Sequence, residues 1–156
     1  MVDPTSSPQL EFTLELRVNI GPALELGENS CGTRRNVPIM GGTFEGPQIS
    51  GRILPGGADC QFVESEGLTF LDAQYVIETE DGIRIGVRNQ GIRHGAKEVI
   101  ARIAAGETVP CSQYYFRTSP RFFPPVGRHE WLKKSIFIGV AERYAESVIV
   151  RVWQVT

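Results

Sequence analysis

Residues Arg35 to Asp59 read RNVPIMGGTFEGPQISGRILPGGAD. Glycines stand at Gly41, Gly42, Gly46, Gly51, Gly56 and Gly57, with Pro47 and Pro55 among them and short β-type runs between. Glycine takes backbone angles other residues avoid, and inside a strand it marks a bulge, a sharp bend or close backbone approach. A segment written this way is sheet that coils and turns corners, as the wall of a small barrel must. The stretch also carries Arg35 and Asp59, the two charges expected to carry function.

Working outward, the upstream chain holds the cleanest periodicity. Leu10, Phe12, Leu14, Leu16, Val18 and Ile20 alternate with Glu11, Thr13, Glu15, Arg17 and Asn19, a period of two that predicts a half-buried strand. After Gly21-Pro22 a polar loop containing GENSCG leads to a strand over 33–39, with further strands near 43 and over 49–54. Downstream, runs over 68–80 and 83–89 flank Asp81-Gly82, a strong hairpin signal. AKEVIARIAA, over 96–105, is the one good helix, with Gly106 as its cap. A strand over 114–118 precedes a Pro-rich loop around Phe123-Pro124-Pro125, and strands over 136–140 and 147–155 end the chain as a hairpin. Many short strands and one short helix predict an all-β fold. A closed antiparallel β-barrel is favoured because the long first and last strands can pair and remove exposed edges. Residues 1–8 read as a disordered tail and 9–156 as a single barrel domain.

Composition narrows the function classes. The 156 residues are 41% hydrophobic and 22% charged, with a net charge of −2 and the two signs interspersed, so no basic nucleic-acid face is expected. Cys31, Cys60 and Cys111 are odd in number and widely spaced, which fits neither a disulfide framework nor a zinc site. The first residues, MVDPTSSPQL, lack the apolar region of a signal peptide, and the longest apolar run, over 136–141, is too short to span a bilayer. A reduced, cytoplasmic protein without membrane partner is the expectation. No phosphate loop, dinucleotide fingerprint, nucleophile elbow or H-E-x-x-H is present, so neither cofactor nor metal is expected.

A binding site inside a barrel should be visible as polar residues with inward parity. Arg35 shares parity with Val37 and Ile39, and Arg117 shares parity with Tyr115, opposite Tyr114 and Phe116. Asp72 and Gln74 sit with Phe70 and Val76 on one face, while Leu71, Ala73, Tyr75 and Ile77 take the other. Asn89 shares a face with Ile83, Ile85 and Val87. Asp59 follows Pro55-Gly56-Gly57-Ala58, on a turn whose backbone is free to approach a ligand. A buried charge is costly unless paired, so inward arginines call for an acidic partner, either Asp59 or a ligand anion. His94 and His129 read as loop histidines, Trp131 and Trp153 as core, and Cys60 as an inert thiol without a basic neighbour.

At this point VPIMGGTFEGPQISGRILPGGAD, FLDAQYVIETEDGIRI, YYFRTSP and HEWLKKSIFIGVAER together resemble the domain-of-unknown-function 3237 family. The family pattern is an Arg ahead of I-x-G-G-x-x-x-G-P, a G-G-A-D-W turn, L-D-x-x-Y before a D-G hairpin, an F-R strand and a W-L-N segment. The resemblance implies a β-barrel of lipocalin-like or calycin-like appearance with a central cavity. It places Arg35, Asp59, Asp72, Tyr75, Asn89, Arg117 and Trp131 on the family pattern. Cys60 stands where Trp is usual and would widen or re-aim the pocket beside Asp59; Lys133 stands where Asn is usual.

Three functions remain open. The first is a cofactor-independent acid/base enzyme (isomerase, cyclase, hydratase or lyase type) acting on a small organic acid or ketone. In it Asp59 is the general base or acid, and Arg35 or Arg117 holds a carboxylate or oxyanion. Tyr115 would donate a hydrogen bond and Trp131 would wall the pocket, with Asp72, Tyr75, Asn89 and Cys60 completing the binding set. The second is a non-catalytic carrier of small ligands, and the third an interaction module with a filled core. Homo-oligomerisation is compatible with all three.

Overall fold

The alternation read along the chain becomes the two faces of a barrel wall in the computed structural model, which describes residues 6–156. The strands are β1 (Leu10–Ile20), β2 (Leu24–Asn29), β3 (Gly32–Glu45), β4 (Ser50–Ile53), β5 (Ala58–Glu64), β6 (Thr69–Thr79), β7 (Arg84–Gly95), β8 (Tyr114–Phe123), β9 (Ile136–Arg143) and β10 (Ser147–Val155). One helix, α1 (Lys97–Ala104), follows β7, and 3-10 turns occupy Cys111–Gln113 and Glu130–Lys134. Around the wall the order is β1, β10, β9, β8, β7, β6, then β4 and β5 end to end, then β3, which pairs back onto β1. The result is a closed eight-position antiparallel barrel with one short helix. β2 continues the line of β1 along the far half of β3.

The expected first and last strands do close the barrel: β1 pairs β10 on one side and β3 on the other. The Gly-rich segment turns its corner without ending the strand. At Gly42, φ is +143°, and a Cβ would lie 2.0 Å from the Arg17 carbonyl oxygen, so only glycine lets β3 bend there against β1. β3 therefore runs as one strand where two were expected. The Asp81-Gly82 hairpin and the helix lie where the sequence placed them.

Other expectations are corrected. β2 occupies what reads as loop, and Asp59 lies in strand β5 instead of on a turn. β7 and β8 run on to Gly95 and Phe123, so His94 is an exposed strand residue whose ring stacks on Tyr115. His129 is buried, only 5% exposed, beside Asp81. A register shift between Phe12 and Leu14 turns Thr13 inward and leaves Phe12 41% exposed, edge-on to a half-buried Trp153. Residues 1–5 of the expected tail lie outside the described residues. Among the described residues no helix is long and apolar enough to cross a membrane.

The interior is divided along the barrel axis. Toward one end, Leu14, Leu16, Phe44, Ile77, Ile85, Phe122, Phe137 and Val152 form a buried apolar core, with Leu132 of the second 3-10 turn. Each such side chain contributes about 1.5–3 kcal/mol on burial. Toward the other end the same strands turn polar residues inward.

Candidate functional site

That second end encloses a cavity. Val18 and Ile20 of β1, Val37 and Ile39 of β3, and Val148 and Val150 of β10 give it an apolar wall. Opposite stand Asp59 and Gln61 (β5), Tyr75 (β6), Asn89 and Arg93 (β7), Thr118 (β8) and Arg143 (β9). The space open to the centre of a water molecule is about 50 Å³, where a single water needs about 10–15 Å³. The cavity therefore has room for a few water-sized groups.

Asp59 sits at the centre of a short chain of hydrogen bonds. Arg35 Nε donates to Gln61 Oε1 at 2.9 Å, and Gln61 Nε2 donates to Asp59 Oδ2 at 2.8 Å. The backbone N–H of Asp72 donates to Asp59 Oδ1 at 3.0 Å. The arginine thus fixes which way the Gln61 amide points, and the amide fixes the carboxylate. Burial pushes the Asp59 carboxyl above its ordinary value of 3.8, against the hydrogen bonds of Gln61 and Asp72 and the charges of Arg93 and Arg35, which pull it down. Burial, with a smaller contribution from the Asp59 charge, raises the Tyr75 phenol further beyond its normal range. A buried carboxyl whose pKa is raised and that is still hydrogen-bonded can exchange a proton with a bound molecule.

Several polar atoms around this cavity have no hydrogen-bond partner among the described residues: Tyr75 Oη, Asn89 Oδ1, Arg93 Nε and Nη1, and Thr118 Oγ1. Buried polar groups are almost always satisfied, so their gathering on one cavity marks a place that a ligand completes. Among the described residues no three His, Cys, Asp or Glu side chains are grouped to hold a metal ion.

The structure brings together Asp59, Tyr75 and Asn89 of the residues singled out in the sequence, with Arg35 reaching them through Gln61. The remainder lie elsewhere. Tyr115 is 44% exposed and Arg117 stacks over its ring on the outer face, because β8 turns Tyr114, Phe116 and Thr118 inward. Asp72 also faces out, held by Arg88 Nε and Nη2 at 3.1 and 2.9 Å; only its backbone amide reaches Asp59. Cys60 is exposed on β5, pointing away from Asp59 by strand alternation. Trp131 packs on Phe137 at the filled end, 6.4 Å between ring centroids, and does not line the cavity.

Sequence reasoning missed Gln61, Arg93, Thr118 and Arg143. Each had a parity signal. Gln61 is two residues beyond Asp59, Thr118 two beyond Phe116 and Arg143 two beyond Ala141. Arg93 continues the Ile85–Val87–Asn89 face once β7 is extended to Gly95.

The chain belongs to the family described as Protein of unknown function (DUF3237), whose profile matches residues 8–155. A UPF0311 protein of Rhodopseudomonas palustris (strain TIE-1) is 41% identical over 152 residues, 97% of this chain and 98% of that protein. The crystal structure of a conserved protein of unknown function from Rhodopseudomonas palustris is similar with a TM-score of 0.94 at 38% identity, covering 97% of this chain and 100% of that one. A β-barrel-like protein from Acinetobacter baumannii AYE gives 0.86 at 37% identity over the whole of both chains. More distantly, the hydroalkoxylation enzyme of Penicillium herquei is 30% identical over 78 residues, 50% of this chain and 52% of that protein. The crystal structure of an enzyme from Penicillium herquei shares the fold, with a TM-score of 0.75 at 19% identity over the whole of both chains.

Proposed function

We propose that this member of the family is a cofactor-independent acid/base enzyme whose small organic substrate occupies the barrel cavity, with Asp59 as the proton carrier. The observation that supports it best is the convergence of partnerless polar atoms on a cavity beside a carboxyl whose pKa burial raises. Asp59, with one hydrogen bond to each oxygen, works as a base that takes a proton from the substrate and returns it. Arg35 is a positioning residue acting through Gln61. Tyr75 and Thr118 hydroxyls and the Asn89 amide hydrogen-bond substrate oxygens, and the aliphatic wall of β1, β3 and β10 covers its apolar body.

The reaction class is addition, elimination or isomerisation. The hydroalkoxylation enzyme of Penicillium herquei lends support through the activity it is named for. Hydroalkoxylation adds an O–H across a carbon–carbon double bond: a C–O bond forms, the π bond breaks and the proton passes from oxygen to carbon, with no redox change. One proton carrier and a polar cradle suffice for such chemistry.

The test is hydrogen–deuterium exchange in D2O, read by proton NMR, at the carbon next to the carbonyl in a panel of small ketones and unsaturated acids. The wild type exchanges at least one panel member, and Asp59→Asn, folded by circular dichroism, does not. Exchange retained in Asp59→Asn removes that residue from the role. Binding without exchange, equal in both proteins, favours a carrier, the second reading supported by the amphipathic cavity.

A further inference from the structure

We propose that the cavity takes an organic anion, and that Arg93 receives its charged oxygen. The inference rests on the reading above in one respect only, that the cavity holds a small organic ligand.

The first argument is a census of charge. Arg93 and Arg143 line the cavity and Arg35 stands behind Gln61, while Asp59 is the one carboxylate among the described residues lining it. With Asp59 ionised, two positive charges are left unbalanced. A low-dielectric cavity with that surplus favours an anion and disfavours a neutral or cationic guest.

The second argument separates the three arginines. Arg35 is engaged with Gln61. Arg143 Nη1 donates to the carbonyl oxygens of Tyr144 and Ala145, the latter at 3.2 Å, and its backbone N–H donates to Tyr114 Oη at 2.9 Å. Arg93 differs from both. It is 1% exposed, its Nε and Nη1 have no partner, and it forms no ion pair among the described residues. Among the described residues its one ring contact is Phe116, 5.1 Å from Cζ to the ring centroid. Burial, then the positive charges of Arg35 and Arg143, push it down to about 10, which still leaves it charged at neutral pH. The one carboxylate that shares its cavity, Asp59, acts on it through space without a salt bridge. A buried cation so incompletely compensated weakens the fold that carries it, so its charge has a use outside folding.

The third argument is shape. A guanidinium presents a planar fork of N–H donors that matches a carboxylate and is pre-organised against an aromatic face. Asn89 lies four residues along the same face of β7, and Thr118 is on the adjacent strand, both with unpartnered oxygens. The ligand class that fits is a small acid with an apolar body and a hydroxyl or carbonyl farther along.

Melting curves and isothermal titration with 4-hydroxybenzoate and its neutral counterpart 4-hydroxybenzamide test this on wild type, Arg93→Met, Arg93→Lys and Asp59→Asn. The acid raises the wild-type melting point by several degrees at saturating concentration, and the amide does not. Arg93→Met melts no lower than wild type without ligand and binds the acid at least tenfold more weakly. Arg93→Lys keeps the preference for acid over amide at reduced affinity, and this holds the proposal open to test even where the Met variant fails to fold. Asp59→Asn still binds the acid. Equal response to acid and amide, no response to the acid, a loss of preference in Arg93→Lys, or an Arg93→Met protein that melts lower yet binds normally overturns the proposal. Anion binding that depends on Arg93 while exchange survives in Asp59→Asn leaves this inference standing and removes the catalytic one; the converse pattern does the opposite.

Discussion

Gln61→Met isolates the link between Arg35 and Asp59. Met keeps the length and approximate volume of the side chain but removes the 2.8 Å hydrogen bond to Asp59 Oδ2 and the acceptor for Arg35 Nε. A hydrogen bond to an ionised group contributes about 1.5–3 kcal/mol, equivalent to about one to two pKa units. Burial already holds Asp59 above 3.8 in the wild type, and the Gln61 bond opposes that rise, so its loss moves the carboxyl further up. The linkage has a definite sign. A carboxyl whose folded-state pKa is raised contributes stability that is fully present below its unfolded value and lost as pH rises through its folded value. The melting points of wild type and variant therefore lie closest below pH 3.8 and separate as pH rises toward 7, by about 3–12 °C for a domain of this size. Carboxyl carbon-13 NMR of labelled aspartate follows Asp59 directly while melting curves are collected across the same pH range. A wild-type Asp59 that titrates at or below 3.8, or a variant whose titration midpoint does not rise, would refute the reasoning.

Two further substitutions probe the scaffold. Asp72→Asn removes a half-exposed outer ion pair with Arg88 but keeps the backbone amide on Asp59, so stability changes by at most about 1 kcal/mol and 4-hydroxybenzoate binding is unaltered by titration; a large loss of binding would place the Asp72 side chain in the site. Gly42→Ala forces a Cβ to within 2.0 Å of the Arg17 carbonyl oxygen at φ +143°, and a loss of about 3 kcal/mol or more is expected from denaturant unfolding; a wild-type unfolding midpoint would mean that β3 does not bend there.

The barrel was legible because β1 carries a long alternation, because the first and last strands are long enough to pair, and because the glycines around Gly42 mark where sheet must bend. β2 and β5 were not legible, for physical reasons that differ. β2 is exposed along its whole length, so no buried face imprints a period on it. β5 buries Gln61 and turns Asp59 inward, and an inner face made of polar residues reads as a loop. The phase of β8 was misread for a third reason. In YYFR both faces carry an aromatic ring, so the apolar pattern cannot decide which is inside; Pro120 and Phe122, on the parity of Tyr114 and Phe116, decide it.

Arg93 shows why the most telling residue of the cavity escaped. The rule that puts hydrophobic residues inside ends this strand at Asn89, where Gln90-Gly91 interrupts the apolar face, four residues short of Arg93. The rule is right for residues that exist to stabilise a fold. It fails at a guanidinium that folding would be better without, and such failures concentrate where a protein meets its ligand. The interior follows that division: the filled end obeys the alternation at nearly every position, from Leu14 and Leu16 to Ile77, Ile85 and Val152, while the cavity end breaks it at Asp59, Gln61, Asn89, Arg93 and Arg143. A barrel with both ends filled by aliphatic side chains would bury more apolar area and leave fewer orphaned polar atoms. That this chain keeps a charged, incompletely bonded half is the physical case for a ligand there, and it locates the demand for that ligand at Arg93 more than at any residue the periodicity selected.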